Sequence, residues 1–180
     1  MSLKYGLLGL LNYSSKTGYE LDKIFKGSLN FFWQAQTSQV YRELNSMEKE
    51  GLLTSNIEHQ EGKPNKKVYS ITPAGKQALE QWLAEDNLSD TMAIRFGFLV
   101  KLFFAAGRSH SENLQTLKHF QAECQKVLNT LSEYEFSDNS RTDTDTDVLY
   151  WDMTADFGLH YYQMCIQWAD KCIKKLERKL

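Results

Sequence analysis

The sequence has few cysteines and no catalytic signature. Its 180 residues include only three cysteines, an odd number without a CxxC pair: Cys124, Cys165 and Cys172. This pattern is typical of buried, reduced thiols and argues against a disulfide framework or a zinc site. The GxSxG, HExxH, GxGxxG and phosphate-loop motifs are absent, and the four histidines are scattered: His59, His110, His119 and His160. We therefore expect no enzymatic activity, no cofactor and no metal site.

Long hydrophobic runs are also missing. The longest apolar segment, IRFGFLVKLFFAAG, is interrupted by Arg95 and Lys101 and is too short to span a bilayer. The N-terminal leucines lead into patterned sequence without a small-residue cleavage site. We expect a cytoplasmic protein without membrane contact.

The net charge of −2 is small but unevenly distributed. Residues 1–83 contain ten Lys or Arg against eight Asp or Glu, whereas the remainder contains eleven against fifteen. A surface for nucleic acid would therefore lie in the first half. The hydrophobic fraction of 42% and the aromatic fraction of 13% are sufficient for packed domains.

The first half begins with three helical patterns. In the first, which ends near residues 12–14, leucines share one helical face: Leu3, Leu7, Leu10 and Leu11. Thr17 and Glu20 make a capping-box pattern at the start of the second. In the third, Gly51 suits a left-handed helix end, and apolar residues repeat along one side: Val40, Leu44 and Met47.

A β-hairpin and a fourth helix complete this half. The segments LLTSNIEHQ and KKVYSI resemble strands joined by the turn-rich EGKPN, and Thr72 with Pro73 marks the next helix start. Three helices, a hairpin and a helix follow one another in the order of a winged helix-turn-helix. We predict a mainly α fold: a winged helix-turn-helix domain with a small β-hairpin wing in residues 1–84, and an all-helical dimerisation domain in residues 91–180.

The second half is predicted to be entirely helical around a polar loop at residues 137–147. One helix has a face of Phe96, Leu99, Val100 and Phe103 and stops at Gly107. The last helix has two apolar stripes, of which one can pack within the chain while the other needs a partner. The first stripe contains Phe157, Tyr161, Met164 and Trp168. We predict dimerisation through the second stripe, at Tyr162, Ile166, Ile173 and Leu176.

The third helix could read DNA or could be an ordinary core helix. A recognition helix enters the major groove with its N-terminus first. Gln39 and Arg42 would then meet base edges, while Thr37 and Ser38 would meet phosphate. Cations surround the hairpin tip, where they could lie along the DNA backbone or be solvated: Lys63, Lys66 and Lys67.

Two other patterns are ambiguous. Phe31, Phe32 and Trp33 could form the floor of a pocket for an aromatic effector, or could belong to the core or to a seam between domains. Residues 143–147 alternate Asp and Thr like the start of a calcium loop, but the glycine and glutamate that such a loop requires are missing. We predict a solvated acidic loop there.

Several blocks of the first half resemble the PadR family of bacterial transcriptional regulators. They are GYEL, FFW, SQVYREL, EGLL, EGKPNKKVYSIT, PAGKQAL and QWL, and they extend through nearly all of residues 1–83. The second half is similar to the longer C-terminal domain of the AphA-like virulence activators, chiefly around Trp168-Ala169-Asp170.

The resemblance implies a homodimeric winged-helix regulator that binds operator DNA, with members responding to small aromatic or hydrophobic effectors. It places Gln39, Tyr41 and Arg42 on the recognition helix and Lys66 and Lys67 on the wing. The alternative is a winged-helix protein-interaction module without sequence-specific DNA binding.

Overall fold

The structure is a computed structural model that describes residues 2–31, 33–59, 65–85, 96–133 and 145–178. The chain divides into two compact units, Met1–Ala93 and Ile94–Leu180. The predicted domain limits, 1–84 and 91–180, stay predictions, because most of the segment between them lies outside the described residues. No helix within these ranges has the length and apolar character that crossing a membrane requires.

The first unit is the predicted winged helix-turn-helix. Within its described residues the α-helices are α1 Ser2–Tyr13, α2 Gly18–Gly27, α3 Thr37–Lys49 and α4 Pro73–Ala84. Its antiparallel sheet has the order β1-β3-β2, with β1 Lys16–Thr17, β2 Leu53–Glu58 and β3 Lys66–Ile71. The predicted helices and hairpin are confirmed. The two-residue strand β1 was not predicted, because its sequence has no strand pattern.

Local chemistry sets the helix ends in this unit. The Thr17 hydroxyl accepts from the Glu20 amide at 3.2 Å, and the Glu20 carboxylate accepts from the Thr17 amide at 2.8 Å, which completes the predicted capping box. Gly51 has φ 73° and allows the chain to leave α3, since side chains disfavour this conformation. The Thr72 hydroxyl accepts from the Gly75 amide at 3.0 Å and caps α4.

The core of the first unit lies between α1, α2, α3 and the sheet. Its largest fully buried side chains come from all three helices and from β2: Leu7, Leu8, Leu11, Leu21, Phe25, Val40, Leu44, Met47 and Leu53. Tyr5 of α1 stacks on Trp82 of α4, with ring centroids 4.7 Å apart. The apolar side of α3 therefore faces inward, as predicted.

The second unit contains α5 Gly97–Phe103, α6 His110–Ser132 and α7 Asp145–Glu177. The predicted loop extends too far, because residues 145–147 already belong to α7. Three residues of the predicted apolar face of α5 are exposed: Leu99, Val100 and Phe103, the last by 81%. Phe98 packs inward instead, stacked on Phe120 at 4.2 Å between centroids and edge-on to Trp168 at 6.3 Å.

Helices α6 and α7 share the core of this unit. Their buried apolar side chains are Leu117, Cys124 and Leu131 from α6, and Cys165, Ala169 and Ile173 from α7. All three cysteines are free; Cys124 and Cys165 are buried and Cys172 is half-buried. Burial raises the pKa of Cys124 to about 11. Two of the three predicted buried thiols, Cys124 and Cys165, therefore belong to the packing of this unit.

The stripes of α7 are divided differently from the prediction. Ile173 is only 7% exposed, and Tyr162, Ile166 and Leu176 are half-buried, so the stripe assigned to a partner faces its own chain. The other stripe is outward over its N-terminal part, where Phe157 is 65% exposed and Met164 52%. We name Tyr150, Met153, Phe157 and Met164 the outer stripe; all four are exposed.

Gly75 lies where α4 closely approaches the turn before β2. A Cβ at this position would collide with the Leu52 carbonyl oxygen and lie 2.8 Å from Ile71 Cγ1. Because neither the backbone nor a core side chain can yield freely, Gly75→Ala should lower the free energy of unfolding by about 1–3 kcal/mol. Urea unfolding measures the difference.

Gly9→Ala is the matched control, because a Cβ on Gly9 in α1 would meet nothing within 4 Å. Alanine has the higher helix propensity, so this variant should be as stable as wild type or more stable by up to about 1 kcal/mol. Equal stability of the Gly75→Ala and Gly9→Ala variants would contradict the packing of α4.

Candidate nucleic-acid interface

Helix α3 exposes a polar face directly opposite its buried side. Val40, Leu44 and Met47 have no exposed surface. The outward side chains are Ser38, Gln39, Arg42, Asn45 and Lys49, all exposed. This face carries no carboxylate and two cations, so its charge favours an anionic partner.

The N-terminal end of α3 is fixed to α2 through side chains. The Thr37 hydroxyl donates to Asp22 Oδ2 at 3.1 Å and accepts from Lys26 Nζ at 2.5 Å, while Lys26 and Asp22 form an ion pair at 2.7 Å. The Thr37 side chain, predicted to meet phosphate, is therefore engaged within the protein. The Ser38 side chain is exposed beside it.

Gln39 and Arg42 are both exposed, but their side chains differ in which atoms are already used in hydrogen bonds. Gln39 Oε1 accepts from the Gln36 amide at 2.8 Å, so its carbonyl is used to cap α3. Arg42 Nε donates to the Ser38 carbonyl at 3.3 Å, a weak contact that leaves the terminal guanidinium nitrogens outward. Of the two, Arg42 retains the geometry for bidentate pairing with a base.

Tyr41 joins α3 to the start of α2. A Cβ on residue 18 would lie 2.6 Å from Tyr41 Cε1, so the ring rests against Gly18. Tyr41 is still 39% exposed. Its ring thus has a packing role in addition to any contact with a ligand, and Gly18 provides the space for it.

The wing cations occupy different environments. Lys66 is exposed and has no ion pair with a described residue. Lys67 Nζ lies 2.7 Å from Glu48 Oε2 and 4.9 Å from the centre of the Tyr69 ring. Its charge is thus already paired within the protein, and a DNA contact by Lys67 stays a prediction. Lys63 lies outside the described residues.

Two carboxylates at the C-terminal end of α3 are neutralised from other elements. Glu50 pairs with Lys4 of α1 at 2.6 Å and accepts from the Ser46 hydroxyl at 3.0 Å. The hydrogen bond from Lys4 lowers the pKa of Glu50, and that from Lys67 lowers the pKa of Glu48. Both acids therefore stay ionised but paired, which limits their repulsion of an anion. Sequence reasoning missed these pairs.

The predicted effector cluster is only partly described. Trp33 is 38% exposed, and its amide donates to the Leu29 carbonyl at 2.9 Å. Phe32 and the side chain of Phe31 lie outside the description. Binding of an effector by Phe31, Phe32 and Trp33 stays a prediction.

Comparison with known proteins finds matches for both halves of the chain. Residues 7–81 match the Transcriptional regulator PadR-like family, and residues 94–177 match Virulence activator alpha C-term. The Negative transcriptional regulator PadR of Bacillus subtilis (strain 168) is 34% identical over 135 residues, which cover 74% of this chain and 73% of that protein.

Two solved structures share the fold along nearly the whole chain. The crystal structure of Bacillus subtilis PadR in complex with operator DNA has a TM-score of 0.75 at 25% identity, covering 98% of this chain and 99% of the other. The structure of the Vibrio cholerae virulence activator AphA has a TM-score of 0.74 at 30% identity and covers 99% of both chains. The resemblance found in the sequence blocks is confirmed.

Proposed function

The chain belongs to the PadR-like family of transcriptional regulators, and we propose that it binds an operator in double-stranded DNA as a homodimer in the cytoplasm. It is a DNA-binding transcriptional regulator and not an enzyme. The observation that carries the proposal for this chain is the polar face of α3, which is exposed and free of carboxylate above a fully buried apolar side.

The geometry of α3 divides the proposed contacts into two kinds. Arg42 is the candidate for base recognition, because its terminal nitrogens have no hydrogen bond to a described residue and a guanidinium pairs bidentately with guanine. Ser38, Lys49 and Lys66 are exposed and fit phosphate contacts, which position a protein without reading sequence. Gln39 can donate through its amide nitrogen while its carbonyl caps the helix.

Selection of bound sequences from random duplex DNA, followed by affinity measurements at several salt concentrations, tests the proposal. Phosphate contacts release counterions, so the affinity should fall steeply as salt rises. If no sequence preference is found and the affinity hardly responds to salt, the result would support the alternative, a winged-helix protein-interaction module.

Arg42→Ala should weaken operator binding by about 1–3 kcal/mol and relax the preference for one base pair. Lys66→Ala should weaken binding to all sequences similarly and reduce the salt slope by about 1. Arg42→Lys is the control, because it keeps the charge and loses the planar fork. Fluorescence anisotropy with operator and random duplexes measures all three. If Arg42→Ala lost affinity equally for both duplexes, Arg42 would be a phosphate contact.

A second copy of the chain is the partner that we propose for the outer stripe. Tyr150, Met153, Phe157 and Met164 are exposed together along one side of α7. Burying each such side chain contributes roughly 1.5–3 kcal/mol, and contiguous apolar patches of this kind mark interaction sites. A two-fold interface would use the same stripe on both chains.

Phe157→Asp combined with Met164→Asp should shift the protein from dimer to monomer, because two charges would be buried at the interface. The matched control is Gln163→Asp, which adds a charge on the exposed polar side of the same helix. Sedimentation at micromolar concentration distinguishes the variants, and circular dichroism checks that the helices persist. A monomeric wild type, or a double variant that stays fully dimeric, would contradict the interface.

A homodimer should prefer a pseudo-palindromic duplex with half-sites about one helical turn, or a multiple of it, apart. Insertion of about five base pairs between the half-sites rotates one of them to the opposite side of the duplex. The affinity should then fall towards that of a single half-site, whereas insertion of about ten base pairs should restore much of it. Equal affinity for all three spacings would contradict two-fold binding.

A further inference from the structure

Glu48 connects the recognition helix to both strands of the wing. It lies in the last turn of α3, and its Oε2 accepts from Lys67 Nζ of β3 at 2.7 Å. Its Oε1 accepts from the Ser55 hydroxyl of β2. One carboxylate therefore bridges three elements of the winged domain.

Lys67 also contacts the core, through Tyr69. Its Nζ lies 4.9 Å from the centre of the Tyr69 ring, and Tyr69 is buried. The lysine thus contacts both a carboxylate and an aromatic ring, and each of them favours its charged form. The hydrogen bond from Lys67 lowers the pKa of Glu48, and that to Glu48 raises the pKa of Lys67.

Lys67 lies on β3 just beyond the residues that pair with β1. The strand β1 pairs only with Val68 and Tyr69, so three-stranded pairing stops there. Towards the hairpin tip, Lys67, opposite Ile57, is the next β3 residue, and it pairs with β2 alone. Ile57, Glu58 and Lys66 are exposed, so little burial fixes the outer half of the wing.

The ion pair is too accessible to contribute much stability. The side chains of Lys67 and Glu48 are 41% and 31% exposed, and pairs of this kind are screened by solvent. The pair instead restrains the orientation of the wing. It holds Lys67, where the sheet becomes two-stranded, against the C-terminal end of α3.

We propose that Glu48 is a positioning residue for DNA recognition, whose carboxylate fixes the angle between α3 and the outer wing so that both reach one duplex. This inference rests on the proposed function. Glu48 does not contact DNA itself; it acts through Lys67 and Ser55. It therefore affects the discrimination between operator and random DNA more than the affinity for DNA in general.

The direction in which operator affinity changes distinguishes a positioning role of Glu48 from simple electrostatic repulsion. A carboxylate near a duplex repels phosphate, so removing its charge without other consequence would tighten binding to every sequence. Loss of a positioning contact weakens operator binding instead, because the wing and α3 no longer fit the duplex together.

The test is Glu48→Gln in the full-length protein, measured by anisotropy with the selected operator and with a random duplex at the same salt concentration. We expect the operator-to-random affinity ratio to fall about tenfold, with random binding unchanged or slightly tighter. The control is Glu50→Gln, which removes a paired carboxylate of the same helix end that contacts α1 and Ser46 rather than the wing. That variant should keep the ratio.

Two further variants identify the residues through which Glu48 acts. In a cycle with Lys67→Gln, the double variant should lose no more discrimination than Glu48→Gln alone, because Glu48→Gln already breaks the contact with Lys67. Ser55→Ala leaves all charges in place and should lower the ratio in the same direction but less. It also keeps the test valid if Glu48→Gln folds poorly.

An unchanged ratio in Glu48→Gln, or losses that add fully in the double variant, would overturn the inference. A wild-type protein without any sequence preference would contradict the proposed function, and this inference with it. The two failures are distinguishable, because the wild-type selection is carried out first.

Discussion

The arrangement of the DNA-binding unit depends on the burial of one side of α3. An α-helix advances about 100° per residue, so fixing Val40, Leu44 and Met47 in the core fixes the direction of every other side chain on it. Rotation would expose fully buried side chains, each at a cost of roughly 1.5–3 kcal/mol. The outward direction of Arg42 is thus a consequence of apolar packing on the opposite side of the helix.

Features determined over three or four residues could be predicted from the sequence. The capping box of Thr17 and Glu20, the buried repeat of α3 and the left-handed Gly51 depend on neighbours along the chain, and all three are present. The hairpin was predictable for the same reason. The winged order then followed, because these elements leave few ways to cover one another.

Features determined by contacts between distant residues could not be predicted. The Lys4 and Glu50 side chains pair across 46 residues, and no local pattern indicates which lysine reaches which acid. Periodicity revealed two stripes on α7, but contacts with distant residues decide what each stripe faces: Trp168 of the first packs on Phe98 and Phe120, and Ile173 of the second is buried. Lys67 looked like a free cation for the same reason, because Glu48 is not its neighbour in the sequence.

In the proposed interface, base recognition and the positioning of the helix therefore fall to different residues. Arg42 is exposed and held only by a 3.3 Å contact to the Ser38 carbonyl, so its aim depends on how α3 is seated. The Thr37, Asp22 and Lys26 cluster fixes one end of that helix, and Glu48, paired with Lys67 of the wing, fixes the other. Since these ties are mostly exposed and individually weak, substitutions there would change stability little. They can still change specificity, because a small rotation of α3 moves a guanidinium out of the plane in which bidentate pairing with a base is possible.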